Sequence, residues 1–230
     1  MNKPKKISVM PLSEKAYQTI RALILDNEFR AGEQILEKVL VEKLNISRTP
    51  IREACVQLEK EGLITIRPRR GIFINPISAA DMNEIYDIIT ALEAQAAKIL
   101  AEKVAQKTIT EQEIKQLELP TLKMEKALQQ DNLKEWAEAD EEFHLCLLDL
   151  CGSIRLKQVV LQFWGQAHRV RYFTLALRDK PTDSTDDHKA VVAAIRAGDA
   201  KKAAEIHSLH RQKGKHNLLS IIEKYRFDNL

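Results

Sequence analysis

The chain has 230 residues, 30% of them charged, with only seven glycines and seven prolines, which excludes a disordered or fibrous chain and allows one large domain or two modest ones. Its formal net charge of +3 is uneven: residues 1–74 carry 14 Lys/Arg against 9 Asp/Glu, a net of +5, and residues 75–230 carry 22 against 24, a net of −2. A basic head on a slightly acidic body suits a polyanionic partner at one end. No apolar run approaches the roughly 18 residues of a membrane span.

The opening stretch, MNKPKKISVMP, is basic but lacks the apolar core of a signal peptide, so residues 1–11 are expected to form a flexible arm. A first helix is expected from Leu12 to Leu25, because Ala16, Ile20, Leu23 and Ile24 recur at helical spacing. The turn Arg30-Ala31-Gly32-Glu33 ends it, and a short helix follows over Leu36–Leu44. Asn45-Ile46-Ser47 makes the next turn. A third helix then runs to Lys60, with Ser47 as its expected side-chain cap and Gly62 just past its end. Two β-rich runs, 63–67 and 72–74, flank Pro68-Arg69-Arg70-Gly71 and read as a hairpin. Three helices and a hairpin in so few residues make a winged helix-turn-helix domain over residues 12–75.

Asn75-Pro76-Ile77 is the expected junction. Beyond it the pattern is all-helical: Ser78-x-x-Asp81 and Thr110-x-x-Glu113 open two helices in capping-box style. Further helices are expected over 132–150, 154–177, 184–196 and 199–223. Trp136, Phe143, Leu147 and Leu150 form a core stripe on the third of these six. The fold class is therefore mainly α: an N-terminal winged helix-turn-helix with a small β-hairpin wing, then an all-α antiparallel bundle over 78–225. The three cysteines (Cys55, Cys146, Cys151) are an odd set with no CxxC pair, which suits reduced, buried thiols in a cytoplasmic protein.

The segment 47–62, SRTPIREACVQLEKEG, carries chemistry. Arg48 and Arg52 are four apart on one helix face, Thr49 lies beside them, and Ile51, Cys55 and Leu58 face the other way. The N-terminal end of such a helix is the part that meets base edges in the DNA major groove. Arg48 suits a guanine, and Ser47 and Thr49 suit phosphates. Arg69 and Arg70, before Gly71, suit the backbone or the minor groove.

In the body, Asp140 and His144 share a helix face, and His188 and His210 lie on two later helices. One carboxylate and three imidazoles of this kind can converge on a divalent cation. His207, one turn before His210, is a spare ligand or a neighbour on a pocket wall. Spacing alone leaves the packed or surface histidine as the commoner reading.

The stretch AGEQILEKVLVEKLNISRTPIREACVQLEKEGLITIRPRRGIFI resembles the GntR family of bacterial transcription regulators. The resemblance implies DNA contacts at Lys38, Ser47, Arg48, Thr49, Arg52 and the wing around Gly71. Asn45 and Asn27 stand where that family often has glycine, and Asn tolerates the left-handed backbone. The pieces DEEFHLCLLDLCGS and DHKAVVAAIRAGDAKKAAEIHSLH resemble the FCD ligand-binding domain of the FadR subfamily. That resemblance implies a metal at Asp140, His144, His188 and His210, with zinc foremost and manganese or nickel as alternatives. The family often holds a carboxylate effector with an arginine near the position of Ile89, which is apolar here; Arg169 and Arg171 can serve instead, with plain surface charge as their other reading. The combined expectation is a cytoplasmic, homodimeric, metabolite-responsive regulator, a repressor by default, that reads a palindromic double-stranded operator. A regulator sensing the metal itself is the alternative. A metal hydrolase is disfavoured, because no general base, nucleophile motif or phosphate loop accompanies the site.

Overall fold

The computed structural model describes residues 10–226; of the arm expected over 1–11, residues 1–9 fall outside the described residues. The chain divides into two compact units between Pro76 and Ile77.

The first unit contains α1 (Leu12–Leu25), β1 (Gln34–Ile35), α2 (Glu37–Leu44), α3 (Arg48–Lys60), β2 (Ile64–Arg67) and β3 (Gly71–Ile74). Its core joins Ile20 and Ile24 of α1, Leu40 of α2, Ile51 and Leu58 of α3, and Ile64, Ile72 and Ile74 of the sheet. A 2.7 Å hydrogen bond from Tyr17 Oη to Glu61 ties α1 to the end of α3. Asn27 and Asn45 both adopt positive φ (57° and 53°), so asparagine does the work of glycine at both turns.

The sheet has three strands, not the two expected, in the order β1-β3-β2 and antiparallel throughout. Gln34 pairs with Phe73 and Ile35 with Ile72. The added strand explains Gly71: its φ is +100°, and a Cβ there would lie 2.9 Å from the Ile35 carbonyl oxygen. The Gln34 side-chain amide also donates to the Arg70 carbonyl, which fastens the hairpin tip to β1. Within the tip, the Arg70 N–H donates to the Arg67 carbonyl (3.0 Å) and Arg69 takes φ +62°.

The second unit is a helical bundle: α4 (Ala79–Ala105), α5 (Glu111–Gln129), α6 (Leu133–Cys151), α7 (Ile154–Phe173), α8 (Thr182–Arg196) and α9 (Ala200–Tyr225). Both expected capping boxes form, Ser78 with Asp81 and Thr110 with Glu113. Asn132 and Asp199 cap α6 and α9 through their side chains. Ser47, by contrast, stands at the start of α3 without a capping hydrogen bond. That helix end is exposed, so water can serve its free N–H groups. Helix α7 stops at Phe173 rather than Leu177, and a 3-10 turn, Leu175–Leu177, follows. The buried Thr174 hydroxyl donates to the Val170 carbonyl at this break (2.8 Å). Phe143 and Leu147 of the expected stripe are fully buried and Trp136 nearly so, while Leu150 is only half-buried. Among the described residues, no helix is long and apolar enough to cross a membrane.

An L-residue at positive φ is disfavoured by about 1–2 kcal/mol, whereas glycine adds roughly 0.5–1 kcal/mol of unfolded-chain entropy. Arg69→Gly should therefore stabilise the first unit by up to about 1 kcal/mol in a denaturant titration. A loss of stability would show that the Arg69 side chain contributes packing to the folded hairpin.

Candidate metal centre and nucleic-acid interface

In the first unit, α3 presents Ser47, Arg48, Thr49 and Arg52 as exposed residues, and Lys38 on α2 is exposed as well. The reason is the helix pitch: Ile51, Ala54, Cys55 and Leu58 are buried, so the positions between them face solvent. Arg52 is held 3.0 Å from the Glu37 carboxylate at the start of α2, with its side chain 68% exposed. Arg69 and Arg70 are exposed at the hairpin tip, beside exposed Arg67, whose guanidinium stacks over Phe73 (4.5 Å to the ring centroid). Gly71 is half-buried and has a steric role, since it admits β1. This surface is basic, is built on a rigid helix and carries a free helix N-terminus, so it can bind phosphates and donate to base edges.

In the second unit, Asp140 and His144 (α6), His188 (α8) and His210 (α9) come together and are buried. Each offers one ligand atom, and these atoms lie within 4.8 Å of one another. An ion held at about 2.0–2.2 Å from each donor needs a spacing of this order. His188 Nε2 is 3.3 Å from His144 Nε2 and 3.5 Å from Asp140 Oδ1.

The candidate ligand histidines are oriented from behind. The Ser184 carbonyl can only accept, so His188 Nδ1 carries the proton (2.6 Å) and leaves Nε2 as a ligand. His144 Nδ1 lies 3.0 Å from Glu93 of α4, and His210 Nδ1 lies 3.7 Å from Asp187. Carboxylates or carbonyls behind ligating imidazoles are the usual support of a metal centre. Glu93 is wholly buried and also accepts from His207 (2.9 Å) and Arg211 (2.8 Å). His207 meets the same Glu93 oxygen as His144 does, and the three make a second buried group.

Burial pushes the pKa of His144, His188 and His210 down to about 3 each, which keeps them neutral, the form a metal needs. Burial alone would raise the Asp140 carboxyl, but the paired Arg171 guanidinium holds it well below the usual range. Glu93 follows the same pattern: burial raises it, and Arg211 with the hydrogen bond from His207 more than reverses the effect. Burial also raises the Cys55 thiol to about 12 and the Cys146 thiol to about 11, which leaves both unreactive at neutral pH.

A cavity of about 1000 Å³ opens onto this group, with Asp140 and His210 on its wall. Of the two arginines expected there, Arg171 lines the cavity and Arg169 does not. The two are two residues apart, which is about 200° around a helix. Arg169 is accordingly buried elsewhere. Trp136, expected as core alone, lines the cavity too, while its indole N–H donates to Thr185 (2.9 Å).

Four contributors were missed in the sequence: Glu93, Asp187, Arg211 and Arg178. Glu93 left a readable signal, a carboxylate at helical spacing within the apolar stripe of Ile85, Ile89, Ala96 and Leu100. The other three are ordinary surface-type residues until the fold places them.

The buried histidines set an acid limit on the metal-free protein. Unfolded imidazoles gain protons near 6.5, and the folded ones resist until about 3. Their stability is complete above 6.5 and is lost as pH falls towards 3. Asp140 and Glu93 act in the same direction below the usual carboxylate range. Denaturant titrations of metal-free protein followed by circular dichroism should show the helical unit weakening steeply between about pH 6.5 and pH 4. Constant stability over that interval would contradict neutral burial of these rings.

Residues 12–74 match the bacterial regulatory proteins of the gntR family, and residues 84–213 match the FCD domain. An uncharacterized HTH-type transcriptional regulator in the TAR-I ttuE-ttuC' intergenic region of Agrobacterium vitis is 39% identical over 133 residues, which is 58% of this chain and 77% of that one. The HTH-type transcriptional repressor RspR of Escherichia coli K12 is 29% identical over 196 residues, 84% of each chain. Among solved structures, E. coli McbR/YncC superposes with a TM-score of 0.78 at 17% identity, covering 94% of this chain and all of that one. A GntR regulator from Rhodococcus superposes with a TM-score of 0.70 at 20% identity, covering 90% and 97%. These last two likenesses establish the fold alone. On the two domain matches and the curated relatives, the chain belongs to the GntR family of bacterial transcription regulators and carries an FCD domain behind its DNA-binding head; it is a regulator, not an enzyme.

Proposed function

We propose that this chain is a metabolite-responsive repressor that acts as a homodimer on a palindromic operator. Residues 12–75 read the DNA and residues 78–225 bind the effector and dimerise. The observation that carries this reading is the buried group of Asp140, His144, His188 and His210 beside a cavity large enough for a small metabolite. These four residues hold a divalent ion, zinc foremost, with manganese or nickel as alternatives. When bound, the ion supplies a positive centre for an anionic ligand in the cavity, a small carboxylic acid. The repressor role rests on what the name of the E. coli relative RspR says of that protein.

In the head, Arg48 donates to a base edge. Lys38, Ser47, Thr49 and Arg52 secure phosphates, and Arg69, Arg70 and the Gly71 turn form the wing contact. Effector binding alters the spacing or mobility of the two heads of the dimer. Coupling of this kind amounts to about 1–3 kcal/mol.

One observation favours a second reading. The group offers four protein donors, the number that closed zinc sites use. In that case the ion itself is the effector.

The test is operator binding by the full chain at fixed salt. Arg48→Ala should cost about 1–3 kcal/mol on the operator and relax sequence preference, whereas equal losses on operator and random DNA would reassign Arg48 to a phosphate. Metal-loaded protein should release operator only when a small acid is added. Release by metal alone would favour the metal-sensing reading, and no response to either would refute both.

A further inference from the structure

Three arginines line the cavity beside the metal-ligand group: Arg171, Arg178 and Arg211. Two of them are neutralised by buried carboxylates, Arg171 by Asp140 and Arg211 by Glu93 (2.8 Å). Arg178, in the connection between α7 and α8, is different. Its Nη2 donates to the Thr174 hydroxyl (2.9 Å), and its buried Nε has no hydrogen-bond partner. Among the described residues, no carboxylate lies within ion-pair distance of it. Arg178 is half-buried, and the buried part of its guanidinium carries a desolvation cost that an anionic ligand would offset.

Most other cations of the cavity wall are already matched: Lys213 pairs with Asp187 on the wall, and Lys180 pairs with Asp131 beyond it. Arg178 therefore stands out as a cationic centre without an anion, separate from the metal-ligand group. A divalent ion at Asp140 and the three histidines would add a second such centre. A ligand with one carboxylate could meet only one of the two.

We infer that the cavity binds a small organic acid bearing at least two negative groups, one held by Arg178 and another directed at the metal-ligand group. This inference rests on the metal-and-effector reading above. Arg178 is a specificity-determining residue: it selects dicarboxylates and tricarboxylates over monocarboxylates. Thr174 positions it, since the buried hydroxyl accepts from the guanidinium while donating to the Val170 carbonyl (2.8 Å). The bidentate geometry of a guanidinium suits a carboxylate, and lysine would replace it only in part.

The experiment is calorimetric titration of the zinc-loaded full chain with succinate, glutarate and tricarballylate, using propionate and butyrate as single-charge controls. Metal content is read separately by elemental analysis. At least one polyacid should bind about tenfold or more tightly than the monoacids. Arg178→Gln should remove about tenfold or more of that polyacid affinity, leave the monoacids and the bound zinc unchanged, and be partly rescued by Arg178→Lys. Equal binding of polyacids and monoacids, no binding of any acid, or an unchanged Arg178→Gln profile would each overturn the inference. If the wild-type chain binds no zinc, the underlying metal reading fails instead.

Discussion

The second unit depends on one constraint: a set of ionisable groups is buried between α4, α6, α8 and α9 and must be satisfied there. Glu93, His144, His188 and His207 have no exposure and Asp140 has 1%. Taking such groups from water costs several kcal/mol each unless charge and hydrogen bonds are returned inside. Two arginines, a backbone carbonyl and mutual contacts supply part of that return. A hydrophobic replacement of similar volume would give a simpler core. The arrangement is therefore explained better by what it holds than by the stability it confers.

The same constraint links the charged layers outward. Glu93 connects the back of His144 to Arg211, and Arg211 reaches the cavity wall. Asp140 faces the other ligands while pairing with Arg171, also on the wall. A ligand that draws on these arginines thus acts on the residues that orient the metal-ligand atoms. A metal and a cavity ligand, where both bind, would influence one another through these ion pairs.

The sequence was most legible where local chemistry sets the structure. The caps at Ser78 and Thr110, the left-handed asparagines at 27 and 45, and the apolar stripes of α1 and α3 all depend on near neighbours. It was least legible where distant pairing decides. Strand β1 is two residues long and exists because β3 accepts it, which only the crowding at Gly71 betrays. The four candidate metal ligands, on three helices, were readable as an Asp-x-x-x-His pair and two later histidines. Glu93 and Asp187, which stand behind two of those histidines, come from α4 and α8 and carry no motif. Arg169 and Arg171 looked equivalent as letters, and the helix pitch sends them to different surroundings. Arg178 lies in a connection whose composition says only that a helix has ended.

A metal ion in the buried group of the FCD domain is the premise on which the proposed effector site stands. The most direct measurement is the metal content of the full chain and of His188→Ala after dialysis against zinc, read by elemental analysis. About one ion per wild-type chain is expected and a much reduced content in the variant, with the helical signal retained in both. A wild-type chain without metal would rule the site out, and a variant that keeps its ion would remove His188 from it.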